Sequence, residues 1–384
     1  MKLLEDIVVV DFSQFLSGPS AGLTLADMGA NVIKIEKPET GDICRHLYVS
    51  DVILDEDSSI FHAINRNKKS YMADLKNRFD IKKIYKLIEK ADIVIHNFRP
   101  GVMERLGFSY HILKSINPSL IYGSISGYGE GEVWKHLPGQ DLLLQSVTGA
   151  TALTGNKEDQ PTPMGVAIID MLAGAHLAQG ILAMLYQRSM TEEGGTVQVS
   201  MFESALDLQF EGLTCFLNDG HELPRRSAIN GAHPYVGAPY GIYKTADDYI
   251  AIAMADIVHL GKVMNCSALQ RFTDNSEWYF RRDEIKQELA MALLHKTTRE
   301  WLEILEPAGF WCSGVLNYQQ LRKEESYQEL EMEMVVKNSN GIEVTTTRSP
   351  YRVDGELLLS NIGAPLLGEH NKEIDEQFDL NAEK

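Results

Sequence analysis

Ile7-Val-Val-Val-Asp11, Ser17-Gly-Pro19, Ser20 to Met28, Gly29 and Asn31-Val-Ile-Lys-Ile-Glu36 follow one another near the N-terminus of the chain. The first run is short, apolar and β-branched, as in a strand buried on both faces of a parallel sheet. Ser17-Gly18-Pro19 is a turn, Ser20 to Met28 has helical spacing and ends at Gly29, and the run to Glu36 is a second strand. Together they predict one β-α-β unit.

The same alternation continues outward. A basic helix is expected around residues 79–90, a strand at Asp92-Ile-Val-Ile-His96, a helix near 111–116 and a strand at Ser119-Leu-Ile-Tyr-Gly-Ser124. An apolar helix from about Asp170 to Tyr186 precedes Glu192-Glu-Gly-Gly195 and the alternating strand Thr196-Val-Gln-Val-Ser200. This is the pattern of an α/β protein with a Rossmann-like, open parallel sheet and right-handed crossovers. After a polar connection, Asn218 to Arg226, the pattern becomes strand, Asp247-Asp248 turn, strand (Tyr249 to Ala253) and helices to about residue 306. That change predicts a smaller α+β domain.

The chain has 384 residues, more than one core usually serves. The expected division is a large Rossmann-like domain over 1–205, a linker over 206–228, the small domain over 229–325, and a linker with a C-terminal segment over 326–384. A formal charge of −18 disfavours nucleic acid and anionic membrane as partners. The N-terminal residues lack the features of a signal or transit peptide, so a cytoplasmic location is expected. Gly165 to Leu185 has nearly spanning length but contains Asp170, His176 and Gln179, and reads as a core helix. Cys44, Cys215, Cys266 and Cys312 are scattered, without zinc or disulfide spacing.

Motifs for P-loop hydrolysis, zinc proteolysis, serine-esterase chemistry and dinucleotide binding are absent. Asp170 stands out instead, in Met164-Gly-Val-Ala-Ile-Ile-Asp-Met-Leu-Ala-Gly174, because an ionised carboxylate among apolar residues carries a desolvation cost unless paired, capping or functional. Two readings stay open: a helix N-cap and a poorly solvated nucleophile. Loops after the early strands carry Lys34, Lys37, Arg66, Lys68, Lys69, Lys76, Arg99 and Arg105. In a parallel sheet these gather at the carboxyl edge, so they read either as a basic rim for a phosphate-bearing ligand or as solvated surface charge. Turns at Ser126–Gly131 and Gly139-Gln140-Asp141 would admit close backbone approach, and His176 reads as a core histidine.

Val10-Asp-Phe12, Gly29 to Glu36, Asn65-Arg-Asn-Lys-Lys-Ser70, Asn97-Phe-Arg-Pro-Gly101, Arg105-Leu-Gly107, Ser126-Gly-Tyr128, Pro138-Gly139, Ala238-Pro-Tyr-Gly-Ile-Tyr243 and Ala364-Pro-Leu-Leu-Gly-Glu-His370 occur in that order. This ordered set resembles the class III CoA-transferase family, which includes formyl-CoA transferase, carnitine CoA-transferase and the 2-methylacyl-CoA racemases. The resemblance implies transfer of CoA from an acyl-CoA donor to a carboxylic acid through an aspartyl–acyl anhydride and an aspartyl–CoA thioester, with Asp170 as nucleophile. It implies no tightly bound cofactor, CoA and acyl-CoA being substrates. It places CoA against Leu16, Ser17, Lys37, Ala73, Lys76, Asn97, Phe98, Arg99, Arg105, Leu137, Pro138, Gly139 and Gln140. It further implies a homodimer of interlocked rings and an active-site flap at Gly231–Gly237.

Two departures shape the reading. The racemases carry a His where this chain has Gln140, and an amide cannot serve as the base for α-proton abstraction, so racemase or another CoA-ester isomerase is the alternative. Formyl-CoA transferase has a Gln where this chain has Leu16, so formate and oxalate are not assumed. A non-catalytic CoA-ester-binding protein is the second alternative. Arg225, Arg226 and His233 are candidates for holding a second carboxylate of a dicarboxylate substrate.

Overall fold

A computed structural model describes residues 3–47, 52–131 and 133–381. Val8–Asp11 (β1) pairs in parallel with Asn31–Glu36 (β2) on one side and Ile93–His96 (β4) on the other, and the helix Ser17–Asp27 (α1) connects β1 to β2. Lys69–Met72 (β3) extends the sheet beyond β2, while Ile121–Ser126 (β5) and Gly195–Ser200 (β6) extend it beyond β4. The six strands are all parallel, in the order β3-β2-β1-β4-β5-β6. This is the doubly wound arrangement expected from the alternating sequence pattern.

Side chains alternate along each strand and so divide into two cores. Val10, Ile33, Ile35 and Val94 face one side, where they meet Ile84, Leu87 and Ile88 of the helix Arg78–Glu89 (α2) and Leu113 of Tyr110–Ile116 (α3). Val9, Val32, Ile93 and Ile95 face the other, against Ala21, Leu25 and Ala26 of α1 and Ile169, Ala173, Leu177 and Ile181 of the helix Ile168–Thr191 (α5). Each aliphatic side chain fully buried this way contributes about 1.5–3 kcal/mol. Helix α5 is long and apolar enough to cross a membrane by length and composition. Its Ile169–Ile181 stripe instead lies in the second core.

Two compact units emerge. The larger comprises Met1–Leu144, Ala167–Ala205 and Glu329–Lys384; the smaller comprises Gln145–Val166 and Leu206–Gln328. Residues 145–166, placed by the sequence division in the large domain, group with the smaller unit. The Arg226 guanidinium donates to the carbonyls of Thr154, Lys157 and Asp159, and Lys157 N–H donates to Ser227 O. The smaller unit also has a three-stranded antiparallel sheet of Gly241–Lys244 (β7), Tyr249–Ile252 (β8) and Cys312–Gly314 (β9), with β8 central. Its core contains Tyr243, Ile250, Leu260, Ile285, Leu289 and Trp301. In the larger unit the C-terminal helix Asn371–Gln377 (α6) brings Ile374, Phe378 and Leu380 into the first core.

Two expectations need correction. Strand β3 falls where the sequence suggested only a turn between charged residues, because its polar Lys69-Ser70 start lacks apolar alternation. It is an edge strand whose Tyr71 hydroxyl donates to Asp375, 2.7 Å away, and whose Lys69 meets Glu373 at 2.7 Å. Lys34, Arg66 and Lys68 do not belong to a basic rim. All three are buried against carboxylates: Lys34 on Asp42 at 2.7 Å, Lys68 on Asp11 at 3.1 Å, and Arg66 on Asp27.

Candidate active site

The chain leaves β1 and β4 toward opposite halves of the sheet, which opens a crevice at their carboxyl ends. Residues 12–16 follow β1 and Asn97–Gly101 follow β4. The Asn97 amide joins the two loops. Its Oδ1 accepts from Gln14 N–H at 2.8 Å, and its Nδ2 donates to Gln14 O at 2.7 Å and to Ser17 Oγ at 3.2 Å. Ser17 is the first residue of α1, and its hydroxyl and N–H lie beside the Asp170 carboxylate and favour its charged form.

Asp170 lies in the first turn of α5, behind Ala167 at the N-cap position. It is therefore not the cap. That role falls to Asp141, at the start of Asp141–Val147 (α4), whose Oδ1 accepts from the N–H groups of Ile169 at 2.6 Å and Asp170 at 3.2 Å. The cap is supplied from a distant part of the sequence and leaves the Asp170 side chain available. Close approach of α5 to α1 depends on Gly174, one turn beyond Asp170, because a Cβ there would overlap the Ser20 hydroxyl and the Ser17 carbonyl oxygen.

Asp170 is 4% exposed, and its carboxyl is pushed up to about 6, first by burial and then by the negative charge of Asp141, against the opposing influence of Ser17. Above that value it is ionised with few water contacts, and it faces open space. It lines a cleft of about 460 Å³ with Gln14, Phe15, Ser17, Asn97, Phe98, Arg99, Leu137, Pro138, Gly139 and Gln140. A second cleft of about 430 Å³ is lined by Lys37, Ala73, Lys76 and Leu106 and shares Gln14 and Phe98 with the first. Each has the volume usual for a small-molecule site. Lys37, Lys76, Arg99 and Arg105 are exposed, and no ion pair holds them among the described residues.

Of the residues named from sequence, Ser17, Asn97, Phe98, Arg99, Leu137, Pro138, Gly139, Gln140 and Asp170 meet at the first cleft, and Lys37, Ala73, Lys76 and Phe98 at the second. Leu16 and Arg105 line neither. Leu16 packs on the small cluster of Cys44, Phe61, Ile64 and Ala364, since an apolar side chain at the start of α1 gains more from that core than from the cleft. The side chain of Arg105 stays in solvent, while its neighbour Leu106 reaches the second cleft. Sequence reasoning missed Gln14, Phe15 and Lys135 as lining residues, and no motif marked them. The two glycine-rich turns do admit close approach, but to each other: a Cβ on Gly127 would lie 2.8 Å from Gly139 Cα.

In the smaller unit, Arg226 is engaged by the backbone carbonyls described above, Arg225 pairs with Glu222 at 3.0 Å, and His233 Nδ1 accepts from Tyr235 N–H at 3.2 Å. The Arg226 guanidinium therefore serves the backbone rather than an open carboxylate site. His176 meets the Ser204 hydroxyl at 3.0 Å, a satisfied polar contact. Among the described residues, no group of three or more His, Cys, Asp or Glu side chains is placed to hold a metal ion.

A family model described as CoA-transferase family III matches residues 4–371. The chain belongs to CoA-transferase family III. As a family III CoA-transferase it is 31% identical to the acetyl-CoA:oxalate CoA-transferase of Acetobacter aceti, over 97% of this chain and 95% of that protein. It is likewise 31% identical to the succinyl-CoA:mesaconate CoA-transferase of Haloarcula hispanica, over 97% of this chain and 96% of that protein. A solved CAIB/BAIF family protein from Brucella suis superposes on this transferase with a TM-score of 0.85 at 28% identity, covering 98% of this chain and 99% of that one.

Proposed function

We propose that this CoA-transferase moves CoA from an acyl-CoA to a carboxylic acid through covalent intermediates on Asp170. The observation that carries the proposal is the carboxylate's setting: buried, at a helix start capped by another residue, and open to a cleft that shares Phe98 and Gln14 with a second cleft bearing Lys37 and Lys76. A CoA thioester laid along this path has its phosphates near the two lysines, its pantetheine arm past Phe98 and its thioester at Asp170. Attack by Asp170 on the thioester carbonyl forms an aspartyl–acyl anhydride and expels CoA thiolate. The thiolate attacks the aspartyl carbonyl, releases the donor acid and leaves an aspartyl–CoA thioester. The acceptor carboxylate attacks that thioester to form its own anhydride and free the thiolate, which then takes the acceptor acyl group and restores the Asp170 carboxylate.

The attack by Asp170 needs a carboxylate that is ionised yet weakly solvated, and every anhydride stage needs a site that keeps water away. The position of Asp141 argues against the racemase alternative, since its Oδ1 is held by two backbone N–H groups and its neighbour Gln140 is no base. Oxalate and mesaconate, named for the two relatives, are dicarboxylates, and we propose a dicarboxylic acid as one of the substrates. The homodimer and the cytoplasmic location expected from sequence belong to the same proposal.

Incubation with acetyl-CoA, formyl-CoA or succinyl-CoA, followed by mass spectrometry of the peptide containing Asp170, should show a hydroxylamine-sensitive adduct. A chain that exchanges CoA with full activity after Asp170→Ala would rule the nucleophile out.

A further inference from the structure

The loop between β1 and α1 has to deliver Ser17 to Asp170, and it does so through an unfavourable conformation. Phe15 has φ 68°, a left-handed value that costs a bulky residue on the order of 1–3 kcal/mol unless its surroundings enforce it. Asn97 holds the loop from the crevice side. From beneath, two side chains fully removed from solvent hold it as well. Lys34 Nζ donates to Ser13 O at 2.7 Å, and Asp42 Oδ1 accepts from Phe15 N–H at 3.0 Å. The two are joined at 2.7 Å between Nζ and Oδ2, and Asp42 is fixed further by Cys44 N–H at 2.9 Å. Neither Lys34 nor Asp42 lines the cleft that contains Asp170.

A buried ion pair seldom stabilises a fold more than apolar side chains of the same volume would, so its presence calls for a reason beyond stability. The loop supplies one. It turns a carbonyl and an N–H two residues apart toward the interior, and these need one donor and one acceptor in a fixed relation. Apolar replacements would leave both unpaired, at about 1–3 kcal/mol each.

We infer that Lys34 and Asp42 are positioning residues for CoA transfer: the buried pair holds Ser13 to Phe15 in the conformation that sets Ser17 beside the Asp170 carboxylate in the cleft. The inference rests on Asp170 being the nucleophile. Lys34 also faces Asp11 and Glu36, Asp42 faces Lys34, and Asp170 faces Asp141 and shares its cleft with Arg99 and Lys135. When the pair is lost, Ser17 shifts away from Asp170 and favours its charge less, while burial and Asp141 continue to oppose its ionisation. The nucleophile is then both misplaced and protonated at higher pH.

The test replaces Lys34→Met together with Asp42→Asn, so that no single charge is stranded in the interior. Adduct formation is followed with whichever of acetyl-CoA, formyl-CoA and succinyl-CoA labels the unaltered protein. The expected result is a cooperatively melting variant that forms the adduct about tenfold to a hundredfold more slowly, with its acid limb at higher pH and KM for the acyl-CoA within about threefold. If that variant fails to fold, Asp42→Asn alone should show the same shift of the acid limb with a smaller slowing. A folded variant that labels at the original rate with an unmoved acid limb overturns the positioning role. Absence of any Asp170 adduct in the unaltered protein overturns the nucleophile instead, and the positioning role with it.

Discussion

Asp42 and Asp170 are both aspartates withdrawn from water, 1% and 4% exposed, and their carboxyls are shifted in opposite directions. At Asp42 burial alone would raise the pKa, but the Lys34 ammonium and the N–H groups of Cys44 and Phe15 outweigh it and hold the carboxyl below its usual range. Glu36 behaves alike under the Arg45 guanidinium. At Asp170 burial wins, and the charge of a second carboxylate, Asp141, adds to it. Pairing turns a buried acid into scaffold, and withholding a cation leaves Asp170 suited to the nucleophilic role proposed for it. The pH slopes follow. Glu36 and Asp42 contribute stability above their unfolded pKa that is lost as pH falls through their lower folded values. Asp170 lowers stability as pH rises from about 4 to about 6, because its native form holds its proton more tightly than the unfolded chain does.

The most severe way to break this contrast is to remove the proposed nucleophile. Asp170→Ala should abolish transfer, measured as CoA exchange between an acyl-CoA and a dicarboxylic acid, leaving on the order of one part in 10⁴ or less. Next comes the scaffold: Arg45→Met leaves Glu36 and Asp57 buried beside no guanidinium, and should cost about 3–5 kcal/mol in urea denaturation at pH 7.

Asp170→Asn sharpens the comparison in the other direction. A carboxyl moved from 3.8 to about 6 burdens the native state by about 3 kcal/mol at neutral pH. The Asn variant should therefore be the more stable protein at pH 7–8, with a gap that closes as the pH drops toward 4. A gap independent of pH would show that Asp170 is not strained by burial. The smallest expected effect is at Gly174→Ala, where crowding of Ser17 and Ser20 should cost about 1–3 kcal/mol and slow adduct formation. An equal melting temperature and rate would mean that α1 and α5 need not pack so closely.

Several of these residues are legible in the sequence. Val8 to Asp11, Asn31 to Glu36 and Ile93 to His96 declare themselves through short β-branched runs, and Asp170 through its isolation in an apolar stretch. Lys34 and Lys68 carry the same letter as Lys37 and Lys76, and nothing local says that the first two are buried on Asp42 and Asp11 while the second two border a cleft. Strand β3 was hidden for a similar reason, since its partners Glu373 and Asp375 lie about 300 residues along the chain.

The sequence by itself determined the doubly wound sheet, the family and the one carboxylate worth suspecting, because each is written in residues close together or in a fixed order. Tertiary structure alone decided which charges pair, that Asp141 caps the helix bearing Asp170, and that Ser17 meets the carboxylate. Burial and pairing are properties of distant residues brought within 3 Å or so by the fold, and no local pattern encodes that distance.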